Sequence, residues 1–126
     1  MILADTNIII DFWRNPDEKS AHIFRTEDVV ICGVVKAELL HGARSVEDYR
    51  RILLALADFP CVNMREADWD FLGYHLYQLR SHGVAVPFQD AVIATLALSN
   101  KSSVWTNDRH FALMKSVLSE LQIYEM

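Results

Sequence analysis

The sequence has little glycine, proline or cysteine, and it has no long apolar run. Four glycines and three prolines among 126 residues form no low-complexity tract or evident linker, so we expect one domain over residues 1–126. The longest clearly apolar run, Ala91 to Leu98, has eight residues, well short of the ~20 that a membrane-spanning helix needs. No basic segment precedes the first apolar residues, and Asp5 interrupts them. We therefore expect no secretory signal and a cytoplasmic location.

The two cysteines, Cys32 and Cys61, both lie in apolar stretches. Two buried free thiols are expected rather than a disulfide or a metal site. The histidines at positions 22, 41, 75, 82 and 110 show no spacing typical of zinc ligands.

Basic residues are outnumbered by acidic ones, and the formal net charge is −5. A general nucleic-acid binder usually carries a basic excess instead. Four carboxylates gathered in a metal site would leave −1 on the rest of the chain, and bound divalent cations would reverse the local field. Charge therefore does not exclude an RNA substrate. With 52% apolar and 23% charged residues, disorder is excluded as the main state.

Short β-rich runs alternate with helical patterns along the chain. This alternation predicts an α/β fold with a central parallel sheet of about five strands, flanked by helices on both faces. The predicted strands are Ile2–Ala4, Val29–Cys32, Pro60–Asn63, Ser103–Thr106 and Gln122–Tyr124.

The predicted helices differ in how much of their surface is apolar. The spacing of Trp69, Leu72, Leu76 and Leu79 predicts a helix from Glu66 to His82 with this stripe in the core, or less simply in a dimer interface. A second stripe of the same period contains Val46, Tyr49, Leu53 and Leu56. Further helical segments are a buried one over Phe88–Ser99 after Pro87, a shorter one over Val34–Ala43, and Phe111–Val117.

Four acidic residues occupy positions that are unusual for solvated charges. Asp5 follows the first strand in ILADTN, and Asp108 follows a later one in VWTNDRHF. Glu38 lies in an apolar-rich helix, and Asp90 lies in the first turn of the helix expected to be buried. Each has a structural alternative, since Asp5 and Asp108 are also suited to cap helices, Glu38 to reach water, and Asp90 to face a helix dipole.

Together the four acids indicate a metal site. In a doubly wound sheet their positions share one edge, and ligands bind where the strand order reverses. Four carboxylates gathered there repel one another unless hard divalent cations such as Mg²⁺ neutralise them. Cations held in this way activate water and stabilise displacement at phosphorus. Thr6, Asn7, Thr106 and Asn107 are suited to orient a carboxylate, a water or a phosphate oxygen.

The segments ILADTNIIID, VVKAELLHGA, FQDAVIATLAL and VWTNDRHF resemble, in order and spacing, the motifs of PIN-domain ribonucleases. The chain is most similar to the VapC-like toxins of type II toxin–antitoxin pairs, over essentially its whole length. The resemblance implies a PIN-like nuclease domain and cleavage of RNA, including transfer RNA, with Mg²⁺ or Mn²⁺ as cofactor. It also implies a homodimer, a larger assembly with a cognate VapB-like antitoxin, and no membrane partner.

The resemblance also implies roles for single residues. Asp5, Glu38, Asp90 and Asp108 match the acidic quartet of the family, with Asp5 and Asp90 as the principal metal ligands. Thr6 and Asn7 match the polar residues beside the first acid. Some members carry a further acid two places after the fourth, where this chain has His110, which leaves open how firmly a second metal is held. His110 itself is a candidate contact to an RNA base.

Several residues beside these motifs keep two interpretations. Arg14, Lys36, Arg44 and Arg109 either meet RNA phosphates or form a solvated rim. Phe12 and Trp13 either pack in the core, which we expect for at least one, or receive an apolar helix of an antitoxin. Phe111 is expected in the core.

Two other functions remain as alternatives. A binding module for RNA or a protein partner would keep the four acids and cleave nothing. A haloacid-dehalogenase-like phosphatase also begins with a strand and an aspartate, but that chemistry needs a second aspartate where this chain has Asn7.

Overall fold

The computed structural model describes all 126 residues. None of its helices combines the length and the apolar character required to cross a bilayer. The strands are β1 (Ile2–Ala4), β2 (Val29–Cys32), β3 (Cys61–Val62), β4 (Ser103–Trp105) and β5 (Gln122–Ile123). The helices are α1 (Thr6–Arg14), α2 (Glu18–Thr26), α3 (Gly33–His41), α4 (Val46–Leu56), α5 (Glu66–Ser81), α6 (Phe88–Ser99) and α7 (His110–Lys115).

The five strands form one sheet, in which every neighbouring pair is parallel and the order is β3-β2-β1-β4-β5. Ile2 of β1 pairs with Val29 on one side and Ser103 on the other, so β1 is the central strand. The chain builds outward from β1 to β3 and then returns to place β4 on the opposite side of β1. The strand order therefore reverses between β1 and β4, which opens a crevice beyond their carboxyl ends.

The core lies between this sheet and the helices that cover it. It contains 27 buried apolar residues, and β1, β2 and α6 are almost wholly buried. Helix α6 is apolar on nearly every side because it packs against both α5 and β4. Phe111 of α7 is 0% exposed, which confirms its expected place in the core.

The predicted α/β class, the five parallel strands and the flanking helices are confirmed. Strand and helix ends differ from the expected ones by two residues at most. Helix α2 was not expected, because its segment is rich in charged residues. The local signal for it is Asp17, whose side chain accepts a 2.9 Å hydrogen bond from Ser20 N and caps the helix.

Two expectations about burial are wrong. Cys32 is buried as expected, but Cys61 is exposed because β3 is an edge strand in which Val62 packs on the core. Trp69 is 53% exposed, because the buried face of α5 passes through Asp68 and Leu72 instead.

Helix α4 carries the second apolar stripe. Of its four members, only Leu56 is buried, while Val46, Tyr49 and Leu53 are exposed. The helix packs mainly against α3, so much of its apolar surface stays in contact with solvent.

Candidate metal centre

The crevice beyond β1 and β4 holds the polar segments that follow these two strands. Asp5 comes directly after β1, and Thr106 to Asp108 follow β4. The main chain joins the two segments, since Asp5 N donates a 2.9 Å hydrogen bond to the Trp105 carbonyl. Residues 100 positions apart in the sequence thereby meet at the point where the topology leaves a crevice.

Asp5 is a buried carboxylate with most of its acceptor capacity in use. Its Oδ1 accepts a 2.8 Å hydrogen bond from Thr6 N, which caps α1. Its Oδ2 accepts from Thr106 Oγ1 at 2.8 Å and from Asn7 Nδ2 at 3.1 Å. A carboxylate has about four lone-pair sites. About one site, on Oδ1, is therefore left for a further ligand.

Asn7 and Thr106 hold the two strand ends in register. Asn7 Oδ1 accepts a 3.1 Å hydrogen bond from Asn107 N, while Asn107 Nδ2 donates to Asp11 Oδ2 at 2.8 Å. Thr106 Oγ1 also accepts a 2.9 Å hydrogen bond from Asp108 N. These contacts agree with the expectation that Thr106 and Asn107 orient groups of the site from the side opposite Thr6 and Asn7.

Glu38 reaches the crevice from α3. Its Oε1 accepts a 3.2 Å hydrogen bond from Thr6 Oγ1, and the residue is otherwise exposed. Thr6 thus links Asp5 and Glu38, since its main-chain N–H donates to Asp5 and its hydroxyl donates to Glu38.

Asp90 and Asp108 are linked by the imidazole of His110. The His110 Nδ1 atom lies 2.9 Å from Asp90 Oδ2 and 3.0 Å from Asp108 Oδ1. One donor atom from each of the three residues lies within 4.8 Å of the other two. Asp90 stands in the first turn of α6, and Asp108 Oδ1 accepts a 2.9 Å hydrogen bond from His110 N at the start of α7.

Burial and mutual repulsion change the acidity of this cluster. Burial is the main cause of the raised pKa of Asp5, and the Asp108 charge raises it further. Burial likewise raises the pKa of Asp90, with added repulsion from Asp108 and Asp5, against a lowering by the His110 hydrogen bond. Burial and the charges of Asp5 and Asp90 raise the pKa of Glu38, although Thr6 opposes them. The ionised forms of these three acids are therefore disfavoured in the crevice, and a bound cation would favour them again.

The donor set fits a hard divalent cation. Four carboxylates and one imidazole converge in one crevice, and carboxylate oxygens are preferred ligands of such ions. Asp5, Glu38, Asp90 and Asp108, predicted from the sequence as one group, are therefore brought together. The tightest trio, however, is Asp90, Asp108 and His110 rather than the expected pair of Asp5 and Asp90.

Asp68 is buried, as Asp5 and Asp90 are, but it lies outside this cluster and has a structural role. Its Oδ2 accepts a 2.8 Å hydrogen bond from Arg65 N, which completes a capping box at the start of α5. Burial would raise the pKa of Asp68, but its hydrogen bonds with Arg65 lower it overall. Burial of an acid alone does not identify the site.

His110 is the site residue whose role was not anticipated. The sequence offers it as the replacement of a further acid or as a base contact, whereas its ring faces Asp90 and Asp108. The available signal was its position two residues after Asp108. The other residues considered beside the motifs, Arg14, Lys36, Arg44 and Arg109, are all exposed.

The family model described as PIN domain matches residues 2–116 of the chain. A search of curated proteins finds no match.

Solved structures with the same fold include toxin–antitoxin complexes. VapBC2 from Rickettsia felis, bound to a DNA fragment from their promoter, is 18% identical, with a TM-score of 0.83, covering 100% of this chain and 99% of that one. VapBC-1 from nontypeable Haemophilus influenzae is 24% identical, with a TM-score of 0.82 and coverage of 99% and 98%. DNA-bound VapBC from Salmonella typhimurium is 21% identical, with a TM-score of 0.82 and coverage of 98% and 96%. At these identities the similarity establishes the fold.

Proposed function

Because this chain belongs to the PIN domain family, we propose that it is a divalent-metal-dependent endoribonuclease that acts as the toxin of a toxin–antitoxin pair. The observation that carries this proposal is the convergence of Asp5, Glu38, Asp90 and Asp108 in one crevice at the topological switch point. PIN domains are generally nucleases, and an acidic crevice of this kind is suited to metal-assisted attack on a phosphodiester. The proposal includes Mg²⁺ or Mn²⁺ as the cation and the cytoplasm as the location.

The residues of the crevice would share the work of holding the cation. Asp90 and Asp108 would bind it, Asp5 would contribute its free Oδ1 lone pair, and Glu38 would bind a second cation or complete the water shell. A bound divalent cation would supply positive charge beside the scissile phosphate and acidify a water. Thr6, Asn7 and Thr106 would orient the carboxylates through the hydrogen bonds that they donate.

The substrate that we propose is RNA, with transfer RNA as the first candidate. Arg14, Lys36, Arg44 and Arg109 are exposed and lie close in sequence to the acidic motifs. Exposed cations beside the acidic motifs are suited to meet the phosphates of a bound RNA. Products with a 5′-phosphate and a 3′-hydroxyl are expected.

The proposed partner is a VapB-like antitoxin. A groove of about 630 Å³ between α1, α3 and α4 is lined by apolar side chains that include Ile10, Trp13, Leu39 and Ile52. Glu38 lies at the same groove, so a bound segment would extend to the metal centre. Arg14 also lines it and favours a segment that carries an acidic residue beside its apolar ones, whereas Arg51 there is already paired with Asp48 at 2.6 Å. Phe12 packs on Phe24 at 4.9 Å, which leaves Trp13 as the exposed member of the pair.

A homodimer is proposed from the exposed face of α5. Four aromatic side chains of this helix are each more than half exposed, whereas Leu72 and Leu79 on the opposite side are buried. A second copy of the chain would remove this apolar surface from water. The aromatic residues are Trp69, Phe71, Tyr74 and Tyr77.

The nuclease proposal is tested with purified protein and RNA. Wild type should cleave transfer RNA with Mg²⁺ or Mn²⁺, stop cleaving with EDTA, and lose at least about 100-fold in rate on Asp90→Asn. Asp70→Asn, which changes an exposed acid of α5, should cleave like wild type. Binding of RNA without cleavage under any cation would favour the binding module.

A phosphatase is disfavoured because Asn7, at the position of the required acid, donates its amide to Asp5.

A further inference from the structure

The imidazole of His110 occupies a place between two carboxylates that a cation would also occupy. Its Nδ1 lies 2.9 Å from Asp90 Oδ2, 3.0 Å from Asp108 Oδ1 and 3.1 Å from Asp108 Oδ2. No lysine or arginine forms an ion pair with either carboxylate. The ring is thus the one basic side chain in contact with both acids.

The position of this ring is set by the local backbone. Asp108 Oδ1 accepts the main-chain N–H of His110 at 2.9 Å, so the turn into α7 is fixed by the carboxylate that the ring contacts. The next residue, Phe111, is completely buried and anchors α7 in the core. With the main-chain N–H of His110 and the residue after it both held, Nδ1 stays at the carboxylates at a lower entropic cost than a free side chain.

The spacing of the donor atoms matches a metal coordination shell. In an octahedral shell with metal–ligand bonds of about 2.1 Å, adjacent ligand atoms are about 3 Å apart. The distances of 2.9 and 3.0 Å from Nδ1 to Asp90 and Asp108 fall at this value. Placing a cation against these three donor atoms therefore requires little movement of the three side chains.

A nitrogen ligand changes which cation a site prefers. Mg²⁺ favours oxygen ligands and retains its waters, whereas imidazole suits Fe²⁺, Ni²⁺, Cu²⁺ and Zn²⁺. Mn²⁺ prefers oxygen as well, but it stands at the start of the same transition-metal series and accepts an imidazole more readily than Mg²⁺ does. Another acid at position 110 would make the donor set wholly oxygen. The histidine makes it mixed.

Building on the proposed nuclease function, we propose that His110 Nδ1 is a direct metal ligand and that it makes this centre select Mn²⁺ over Mg²⁺. The ion is held by Asp90, Asp108 and His110, with Asp5 adding an oxygen. His110 thereby acts as a cofactor-selecting ligand rather than as a contact to the RNA base.

The other histidines provide the internal control for this proposal. His75 Nδ1 is bonded to Thr95 Oγ1 at 2.8 Å, and His82 Nδ1 to the Gln78 carbonyl at 2.8 Å. His22 is exposed on α2 and is not among the residues of the cluster. His22→Ala is therefore a matched variant that removes an imidazole without touching the crevice.

The test measures metal binding directly and does not depend on cleavage. Pulsed electron paramagnetic resonance of the Mn²⁺-loaded protein should detect a coordinated imidazole ¹⁴N in wild type and His22→Ala, and none in His110→Asp. Titration calorimetry should give Mn²⁺ a preference over Mg²⁺ that falls at least about tenfold in His110→Asp. His110→Ala should lose Mn²⁺ affinity without gaining Mg²⁺ affinity.

Two results would overturn the inference. One is wild-type protein that binds Mn²⁺ with no nitrogen coupling, a measurement that does not depend on the folding of any variant. The other is an unchanged Mn²⁺ to Mg²⁺ ratio in a folded His110→Asp. In both cases Mg²⁺-dependent RNA cleavage would still support the nuclease. Failure of wild type to bind either cation would instead refute the nuclease and the nitrogen ligand together.

Discussion

Thr106 donates its hydroxyl to Asp5 across the crevice between β4 and β1, with 2.8 Å between Thr106 Oγ1 and Asp5 Oδ2. The same hydroxyl oxygen accepts the main-chain N–H of Asp108. One short side chain therefore positions an acid from each of the two strands at the switch point. The contact with Asp5 is a tertiary consequence of placing β1 beside β4, whereas the contact with Asp108 is local.

Thr106→Val should destabilise the protein by about 2 kcal/mol, because a buried carboxylate loses a hydrogen bond from a neutral donor. The shape of the side chain is almost unchanged, so the loss reports the hydroxyl. Urea unfolding at pH 7 measures the difference. Thr106→Ser keeps the hydroxyl and should recover more than half of the stability; equal losses in both variants would contradict this role.

Asp90→Asn should stabilise the metal-free protein at neutral pH, by a few degrees in Tm. The pKa of Asp90 is raised in the folded state by burial and by the neighbouring acids. The contribution of Asp90 to the free energy of unfolding is complete below pH 3.8, the ordinary pKa of an aspartate. This contribution is lost as pH rises through the raised pKa that Asp90 has in the folded protein.

Thermal unfolding in EDTA from pH 3 to pH 8 tests this sign. The Tm of Asp90→Asn should exceed that of wild type at pH 7, and the two should converge toward pH 3. Asp70→Asn should follow the wild-type curve. A variant that is less stable than wild type at pH 7 would show that the acidic crevice is not under electrostatic strain.

Asp5→Asn should abolish metal-dependent cleavage as Asp90→Asn does, but it should cost stability. Asp5 accepts three hydrogen bonds, whereas Asp90 accepts one, from His110. An amide at position 5 turns one acceptor into a donor that faces donors, a cost of about 1–3 kcal/mol. Parallel urea unfolding and cleavage assays separate the two effects. Equal stability of Asp5→Asn and Asp90→Asn would contradict the role of Asp5 as a hydrogen-bond acceptor.

Divalent cations should stabilise wild type and not Asp90→Asn. A cation present at 100 times its Kd adds about 2.7 kcal/mol to the free energy of unfolding, provided that it does not bind the unfolded chain. Differential scanning fluorimetry with MnCl₂ and then excess EDTA measures the gain and its reversal. A rise of equal size in Asp90→Asn would indicate binding elsewhere on the protein.

Phe111→Ala and Trp69→Ala should differ, although both remove a large aromatic side chain. Phe111 is 0% exposed, so its loss should cost about 3–5 kcal/mol. Trp69 is 53% exposed, so its removal should leave the stability of the monomer nearly unchanged and weaken the proposed dimer. Urea unfolding measures the change in stability, and light scattering after size-exclusion chromatography measures dimerisation. Unaltered dimerisation in Trp69→Ala with Tyr77→Ala would place the subunit interface elsewhere.

Local sequence patterns determined much of this protein. Alternating strand and helix patterns are enough to predict the parallel sheet, because apolar periodicity records which side of each element is buried. The position of Asp5 after β1 and of Asp108 after β4 placed two acids at one edge, since parallel strands end on the same side. Glu38 and Asp90 were recognisable because charges are rare in apolar helices.

Only the tertiary structure decided what each polar group touches. Asp68 and Asp90 are both acids near the start of a helix, yet one caps α5 and the other faces a second carboxylate. Trp69 has the period of a core residue, but rotation of α5 directs Asp68 inward and leaves the tryptophan in solvent. The role of His110 depends on the packing of α7 beside α6, a contact between distant segments that no local periodicity encodes.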